Sequence, residues 1–345
     1  MMISLSSDQI VDLFFRFAAV GQLLLLAILA FKQTSVLQRY AQSFLIVTAI
    51  SYLLLTAPIE DHHYGLLRRP LLLFTDLSAT AILLFAYTQL KPDLPFSHYP
   101  KWAIWLLGLW SVLMCYFFLF TTANHPLHDI NHAVGLILLM ITLFLGISGY
   151  QDDLIDARRK FRLILVIGCA LYMGILTVFE LSISSIKDHW LFSLCNSASV
   201  LAATSFAAFR IVKRTEIAAE LSQKEIKLTP TSSARNPMLS ALQALMDAEF
   251  YTRSNLTIAL LAQELGVPQH QLRQLINQSL GYSNFSHFLN SYRIPAICAQ
   301  LQDPKFRQTP ILTLALNMGY GSIASFNRAF KQQMKITPTE FRDQF

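Results

Sequence analysis

Seven long apolar runs dominate the first 212 residues of the chain. A helix needs about 20 mostly apolar residues to cross the hydrocarbon core of a bilayer. The runs approach or reach that length, the second and fifth being the shortest, so the pattern predicts seven membrane-spanning helices. A soluble all-helical core is the alternative, and so many long apolar runs disfavour it. The runs are 10–31, 40–56, 70–87, 102–120, 132–147, 161–181 and 190–212.

The loops between these runs differ in charge. Eleven Lys and Arg residues lie in the odd-numbered loops and around the end of the seventh run, against three at the N-terminus and in the even-numbered loops. Because cytoplasmic loops of membrane proteins are enriched in Lys and Arg, we expect the N-terminus outside and the C-terminus in the cytoplasm.

Composition supports a division of the chain near residue 212. Of all 345 residues, 54% are hydrophobic and only 14% are charged, against about 25% charged residues in an ordinary globular protein. Residues 213–345 alone carry 14 Lys and Arg and 9 Asp and Glu, which is typical of a soluble domain. We predict a membrane domain over 1–212, a helical or flexible linker over 213–236 and a soluble domain over 237–345. The four cysteines show neither metal-type spacing nor a disulfide framework, and the N-terminus lacks the basic segment of a cleaved signal peptide.

Beyond the linker, the apolar spacing becomes that of short amphipathic helices. The stretch NLTIALLAQELGVPQHQLRQLIN begins at Asn255 and has apolar residues at helical spacing on both sides of Gly266. Asn255 or Thr257 is expected to cap its first helix, and glycine tolerates the left-handed backbone that a tight turn needs. The stretch ILTLALNMGYGSIASFNRAFKQQM, 311–334, repeats the arrangement around Gly319. The sequence therefore predicts two helix-turn-helix units.

These two units resemble the DNA-binding domain of the AraC family of transcription regulators. The resemblance is strongest in LALNMGYGSIASFNRAFKQQMKITPTEFR and is supported by LLAQELGV in the first unit. It implies two recognition helices, 268–278 and 322–332, which enter adjacent major grooves of double-stranded promoter DNA about 34 Å apart. Pro295 lies in the connecting stretch, where it is expected to kink a helix.

The residues expected to contact DNA lie early in each recognition helix. Arg pairs with guanine, and Asn or Gln with adenine, whereas Ile323 and Ala324 can only touch thymine methyl groups. Arg293, Arg307, Lys331 and Lys335 are expected at phosphates. Arg328 could instead pair with a carboxylate of its own domain, and His270 could be merely exposed. The full set of expected DNA contacts is Gln269, His270, Arg273, Gln274, Asn277, Arg293, Ser322, Ile323, Asn327, Arg328 and Lys331.

Candidate sensing residues lie in the apolar part. Arg16 and Asp76 fall at similar depth in the first and third runs, so they are expected either to pair or, for Arg16, to extend towards the membrane surface. Histidines collect in the loops assigned to the outer side, where they either sense metal or protons or are simply loop residues. No metal site is predicted firmly, although His128 and His132 have helical spacing. The histidines are His62, His63, His125, His128 and His132.

We therefore expect an all-α protein, with a seven-helix transmembrane bundle followed by a cytoplasmic domain with two helix-turn-helix units. The expected function is one-component transcription regulation from the bacterial inner membrane. The expected partners are promoter DNA, the lipid bilayer, an unidentified signal ligand and a possible second copy of the chain. No cofactor and no enzymatic activity are expected, because no catalytic motif is present. The alternative is an integral-membrane enzyme or transporter with an appended DNA-binding regulatory domain.

Overall fold

The computed structural model describes residues 6–31, 35–90, 101–120, 127–181, 190–225 and 237–345. Within these ranges the chain is helical and contains no strand, apart from one isolated bridge between Asp153 and Asn284. The predicted all-α class is confirmed.

Each of the seven apolar runs lies in a helix or a bent pair of helices. The third run is divided at Leu77, where α3 ends and α4 begins. The helices are α1 (Ser7–Phe31), α2 (Val36–Leu55), α3 (Arg68–Asp76), α4 (Ser78–Leu90), α5 (Lys101–Phe120), α6 (Leu127–Ile147), α7 (Asp156–Leu181) and α8 (Trp190–Glu225).

Two of these helices are long and apolar enough to cross a membrane, namely Ser7–Ile28 within α1 and Ile130–Ile147 within α6. A third candidate span is the pair His62–Asp76 and Ser78–Leu90, which is bent by 46°. Shorter apolar helices cover Trp105–Phe118 and Ser193–Phe209. The described residues therefore hold two or three candidate spans, and a bundle of seven spans remains a proposal.

The chain divides into two compact units. The first comprises Met1–Ile147 and Arg162–Thr229, and the second comprises Ser148–Phe161 and Pro230–Phe345. The link between α6 and α7, together with the first residues of α7 up to Phe161, thus belongs to the same unit as the C-terminal domain.

In the first unit, α1 packs along α8 and against α2, while α4 packs against α2 and α6. One small apolar core joins Ala19 and Leu23 of α1 to Ile46 and Leu53 of α2. Large apolar side chains also face outward from the helices. Among them are Phe14 on α1, Trp105 on α5 and Phe144 on α6.

The second unit has one continuous core. It is built by seven helices, and its largest fully buried side chains include Phe285, Phe288, Phe326 and Phe330. The helices are α9 (Pro237–Asp247), α10 (Ile258–Glu264), α11 (Gln269–Gln274, continued by a π-helical turn over Leu275–Ser279), α12 (Phe285–Gln302), α13 (Ile311–Asn317), α14 (Ile323–Met334) and α15 (Pro338–Arg342). Helix α12 continues through Pro295 without interruption.

Candidate nucleic-acid interface

The first helix-turn-helix unit consists of α10, a tight turn and α11. The Thr257 hydroxyl accepts a hydrogen bond from the Leu260 amide and caps α10. Of the two predicted caps, Asn255 and Thr257, the structure therefore has Thr257. Gly266 has a φ of +64° at the turn, in the region that glycine adopts without strain. Leu261 on α10 and Leu272 on α11 are fully buried, which fixes the angle between the two helices.

The second unit consists of α13, the turn at Gly319 and α14. The Ser322 hydroxyl accepts a hydrogen bond from the Ser325 amide and caps the start of α14. Phe326 and Phe330 lie one turn apart and are both fully buried, with their rings in an edge-to-face contact. Since these two residues anchor one face of α14, its opposite face lies in solvent.

That outer face carries the DNA contacts predicted for the second unit. Ser322, Ile323, Asn327, Arg328 and Lys331 are all exposed. Arg328 makes no ion pair with any described residue, so the predicted alternative of a carboxylate partner is not observed. An unpaired guanidinium beside an amide provides donors and an acceptor suited to base edges and phosphates.

Arg293 corrects the sequence prediction. We expected this side chain at a phosphate, but it is only 7% exposed. Its Nε donates to the Tyr251 carbonyl at 2.7 Å and its Nη2 to the Arg253 carbonyl at 3.1 Å. The guanidinium also lies 5.3 Å from the ring centre of Tyr320. Arg293 therefore joins α12 to the chain before the first unit and to the turn of the second, and it positions both units.

Tyr320 completes this buried junction. Burial raises the pKa of its hydroxyl to about 12, although nearby Arg293 acts in the opposite direction. The hydroxyl stays protonated at neutral pH and donates to the Asn290 side-chain oxygen at 2.9 Å. The junction thus satisfies its polar groups internally, as buried hydrogen-bonding groups generally do.

In the first unit, only some of the predicted contacts face solvent. Gln269, His270 and Gln274 are exposed, whereas Arg273 is buried at 8% exposure and donates to the Gln269 side chain. Asn277 lies in the π-helical turn and donates to the Tyr282 carbonyl at 3.0 Å, which is a structural bond within the domain. The first unit therefore presents fewer polar groups than the sequence predicted.

Arg16 has a different partner from the one expected. Its Nε lies 2.7 Å from the carboxylate of Asp12, one turn earlier on α1, and the predicted pairing with Asp76 is wrong. Both members are nearly inaccessible, at 1% and 2% exposure, so Arg16 does not extend to the surface. The sequence contained the signal, because Asp12 and Arg16 have the i,i+4 spacing that brings side chains together on one helix face.

The outer-loop histidines are only partly described. His125 lies outside the described residues, and the side chain of His128 is likewise not described. His132 is partly buried on α6. His62 and His63 are exposed, and their potential ligand atoms lie within 4.8 Å of one another and of a Glu60 carboxylate oxygen. Among the described residues, the cluster of possible metal ligands is therefore Glu60, His62 and His63.

Comparisons with known proteins place the C-terminal domain. Residues 261–344 match the model of a helix-turn-helix domain, of the AraC type that the sequence resembles. Uncharacterized HTH-type transcriptional regulators of Staphylococcus aureus strains MSSA476 and N315 are each 34% identical over 94 residues, which is 27% of this chain. The match spans 12% of the length of these relatives. No solved structure matched the chain. The shared region is thus a helix-turn-helix domain within residues 261–344, similar to that of HTH-type transcriptional regulators.

Proposed function

We propose that this chain is a membrane-embedded, sequence-specific DNA-binding transcription regulator that senses a signal and binds promoter DNA within one polypeptide. The observation that carries the proposal is the second helix-turn-helix unit. There, Phe326 and Phe330 hold α14 to the core while Asn327, Arg328 and Lys331 stand unobstructed on its outer face. Helices presented in this way read the major groove in many regulators.

The membrane half of the proposal rests on the seven apolar runs and on charge. Every run lies in helical structure, and large apolar residues such as Phe14, Trp105 and Phe144 face outward from their helices. Exposed apolar surface of this extent is unfavourable in water and suits a lipid environment. The excess of Lys and Arg in the odd-numbered loops supports a C-terminal domain on the cytoplasmic side of a bacterial inner membrane.

Substitutions of Arg328 test whether α14 binds DNA sequence-specifically. The probe is a duplex enriched from a random-sequence pool by the wild-type full-length chain. Arg328→Ala should weaken binding by about 1–3 kcal/mol, equivalent to roughly 5- to 150-fold in Kd, if the guanidinium contacts a base. Arg328→Lys should lose most of the same affinity because it keeps the charge but not the bidentate geometry. Fluorescence anisotropy at fixed salt measures all three proteins.

Gln333 supplies the control on the same helix. It is exposed, and Gln333→Ala should leave Kd within about twofold, since exposed positions away from a contact contribute little. If Arg328→Ala binds as Gln333→Ala does, Arg328 does not read the duplex. If Arg328→Lys retains full affinity, the contact is to phosphate and does not specify sequence.

The proposed sensor is the apolar half, and two polar groups within it are candidates for receiving the signal. These are the buried pair Asp12 and Arg16, and the exposed cluster Glu60, His62 and His63, whose imidazoles and carboxylate suit zinc or proton binding. Asp76, His125, His128 and His132 remain further candidates, and a second copy of the chain remains a proposed partner.

Replacing residues 1–147 and 162–212 by unrelated membrane spans, while keeping residues 148–161 of the C-terminal unit, distinguishes a sensor from a tether. We expect the exchanged protein to bind the enriched duplex but to lose its response to growth conditions that change promoter occupancy of the wild type. Chromatin immunoprecipitation of both proteins measures occupancy. A response retained by the exchanged protein would show that regulation lies wholly in the C-terminal part.

A further inference from the structure

The segment 148–161, which we call the docking segment, comprises the link between α6 and α7 and the first residues of α7, and it is attached to the DNA-binding domain. Its backbone pairs with the residues that precede α12. The Leu154 amide donates to the Ser283 carbonyl at 3.2 Å, and the Phe285 amide donates to the Asp152 carbonyl at 2.9 Å. The second of these bonds satisfies one of the free amides at the start of α12.

Side chains strengthen the attachment. The Ser286 hydroxyl donates to the Asp152 carboxylate at 2.9 Å, and Arg158 donates to the Ser283 carbonyl at 3.0 Å. Arg158 is itself held by Asp153, whose carboxylate is 2.7 Å from its Nε and almost completely buried. Leu154 is 3% exposed and belongs to the core of the compact unit that contains both helix-turn-helix units. A covalently distant segment is therefore integrated into the domain by apolar and polar contacts together.

Charged groups of the docking segment also act on Arg273, which is buried and is one of the predicted base readers of the first helix-turn-helix unit. Burial lowers the pKa of Arg273, and the positive charge of Arg159 lowers it further, while Asp156 and Tyr150 act in the opposite direction. All three neighbours belong to the docking segment. They lie close enough to the recognition helix α11 for their charges to act on its guanidinium.

The bonding of Arg273 in this arrangement is incomplete. Its Nη2 donates to Gln269, another predicted base reader, but its Nε is buried without a hydrogen-bond partner among the described residues. A buried donor without a partner beside a like charge is unfavourable, so this side chain gains from reaching solvent or DNA. Two predicted readers of the first helix-turn-helix unit, Gln269 and Arg273, are thus bonded to each other in the docked arrangement.

We infer that the docking segment is an intramolecular inhibitor of the first helix-turn-helix unit, which holds Asp156 and Arg159 near Arg273 when docked and allows Arg273 to reach DNA when released. The inference rests on the proposed DNA-binding function. The segment is covalently continuous with α6 and α7, two of the proposed spans, so a change in their packing acts directly on its two ends. This connection gives the apolar half a route to the DNA-binding domain that does not pass through residues 213–236.

Arg158→Ala tests release in the full-length chain, with Lys160→Ala as the matched control. Lys160 lies in the same segment and is exposed, so its replacement removes the same charge without a docking bond. Arg158→Ala should increase amide hydrogen exchange at residues 152–156 and 283–288 and tighten binding of the enriched duplex by about fivefold or more, the lower range of allosteric coupling. Lys160→Ala should change neither quantity beyond about twofold.

A disulfide tests the opposite state. Asp152 and Ser286 are joined by a side-chain hydrogen bond, so Asp152→Cys with Ser286→Cys places two thiols at neighbouring positions. Exposed Cys195 is replaced by serine in this background to avoid competing oxidation. The oxidised protein should bind the duplex about fivefold or more weakly than its reduced form, since a closed crosslink prevents release.

The two experiments decide together. Weaker binding by Arg158→Ala, or equal binding by the oxidised and reduced double-cysteine proteins, would show that the docking segment merely supports the domain, and would overturn the inference. If no protein binds any duplex while exchange increases in Arg158→Ala alone, the proposed DNA-binding function fails and the docking contact stands. Equal amide hydrogen exchange in Arg158→Ala and Lys160→Ala would show that Arg158 does not hold the docking segment in place, which would contradict the inference.

Discussion

Gly319→Ala should locally unfold the second helix-turn-helix unit. A Cβ at this position would lie 2.6 Å from the carbonyl oxygens of both Thr252 and Arg253 and 2.7 Å from a guanidinium nitrogen of Arg293. The φ of +79° adds strain for any residue with a side chain. Two of the three clashing atoms are backbone and cannot rotate away. We expect a loss of about 2–5 kcal/mol, from left-handed strain of about 1–2 and overpacking of about 1–3.

Two other glycines separate the causes. Gly266→Ala meets no atom within 4 Å but has a φ of +64°, so it should cost only the backbone strain, about 1–2 kcal/mol. Gly321→Ala meets no atom and has no positive φ, so its effect should stay within about 1 kcal/mol. Hydrogen exchange of residues 311–334 in the full-length chain gives the local opening free energies. Equal values for Gly319→Ala and Gly321→Ala would contradict the close backbone approach.

Asp12→Ala should destabilise the packing of α1 against α8 by about 3–5 kcal/mol, because it leaves the buried Arg16 charge without a counter-ion. The Asp12 carboxylate also accepts from Ser193 at 3.1 Å and Ser197 at 2.6 Å on α8. Arg16 donates to the Leu53 carbonyl, so the pair connects three helices. A single substitution therefore leaves several buried groups without partners.

The double substitution Asp12→Leu with Arg16→Met is the control. Replacing both members of a buried ion pair by apolar residues is commonly neutral or stabilising, because no charge remains buried. We expect the double variant to be more stable than Asp12→Ala, with a coupling of about 1–3 kcal/mol between the two sites. Hydrogen exchange of α1 and α8 in lipid nanodiscs measures the effect. A double variant less stable than Asp12→Ala would show that the hydrogen-bond network outweighs the ion pair.

The same pair of variants bears on signalling. If Asp12 and Arg16 receive the signal, the apolar double variant should keep its fold and lose the response. A stable double variant with a normal response would assign the pair to packing alone.

The local spacing of apolar residues was sufficient to predict many features of the fold. Apolar runs and their spacing are properties of neighbouring residues, so they predicted the helices, the turns at Gly266 and Gly319, and the buried faces at Phe326 and Phe330. The resemblance to a known DNA-binding domain rested on the same local motifs. The structure confirmed the two turns and the two buried phenylalanines, and it moved the bounds of the helices by a few residues.

Packing between distant residues decided the rest. Arg328 and Arg293 are both arginines on helices of one domain, yet only Arg293 is buried, because the carbonyls of Tyr251 and Arg253 and the bare backbone of Gly319 form a site around it. No spacing within a single helix indicates such a site. Arg273 also differs from its exposed neighbours, at 8% exposure, and besides burial the charges of Arg159 and Asp156, more than 100 positions earlier, shift its pKa.

The sequence by itself determined the helical class, the two helix-turn-helix units and the residues that α14 presents, because helix periodicity and turn chemistry are written in consecutive residues. The tertiary structure alone decided which charged side chains are free to act. It buried the pair of Asp12 and Arg16 against Leu53 and Ser197, enclosed Arg293 and attached the docking segment to the domain. A charge becomes buried or exposed according to the partners that folding brings to it, and those partners come from remote parts of the chain.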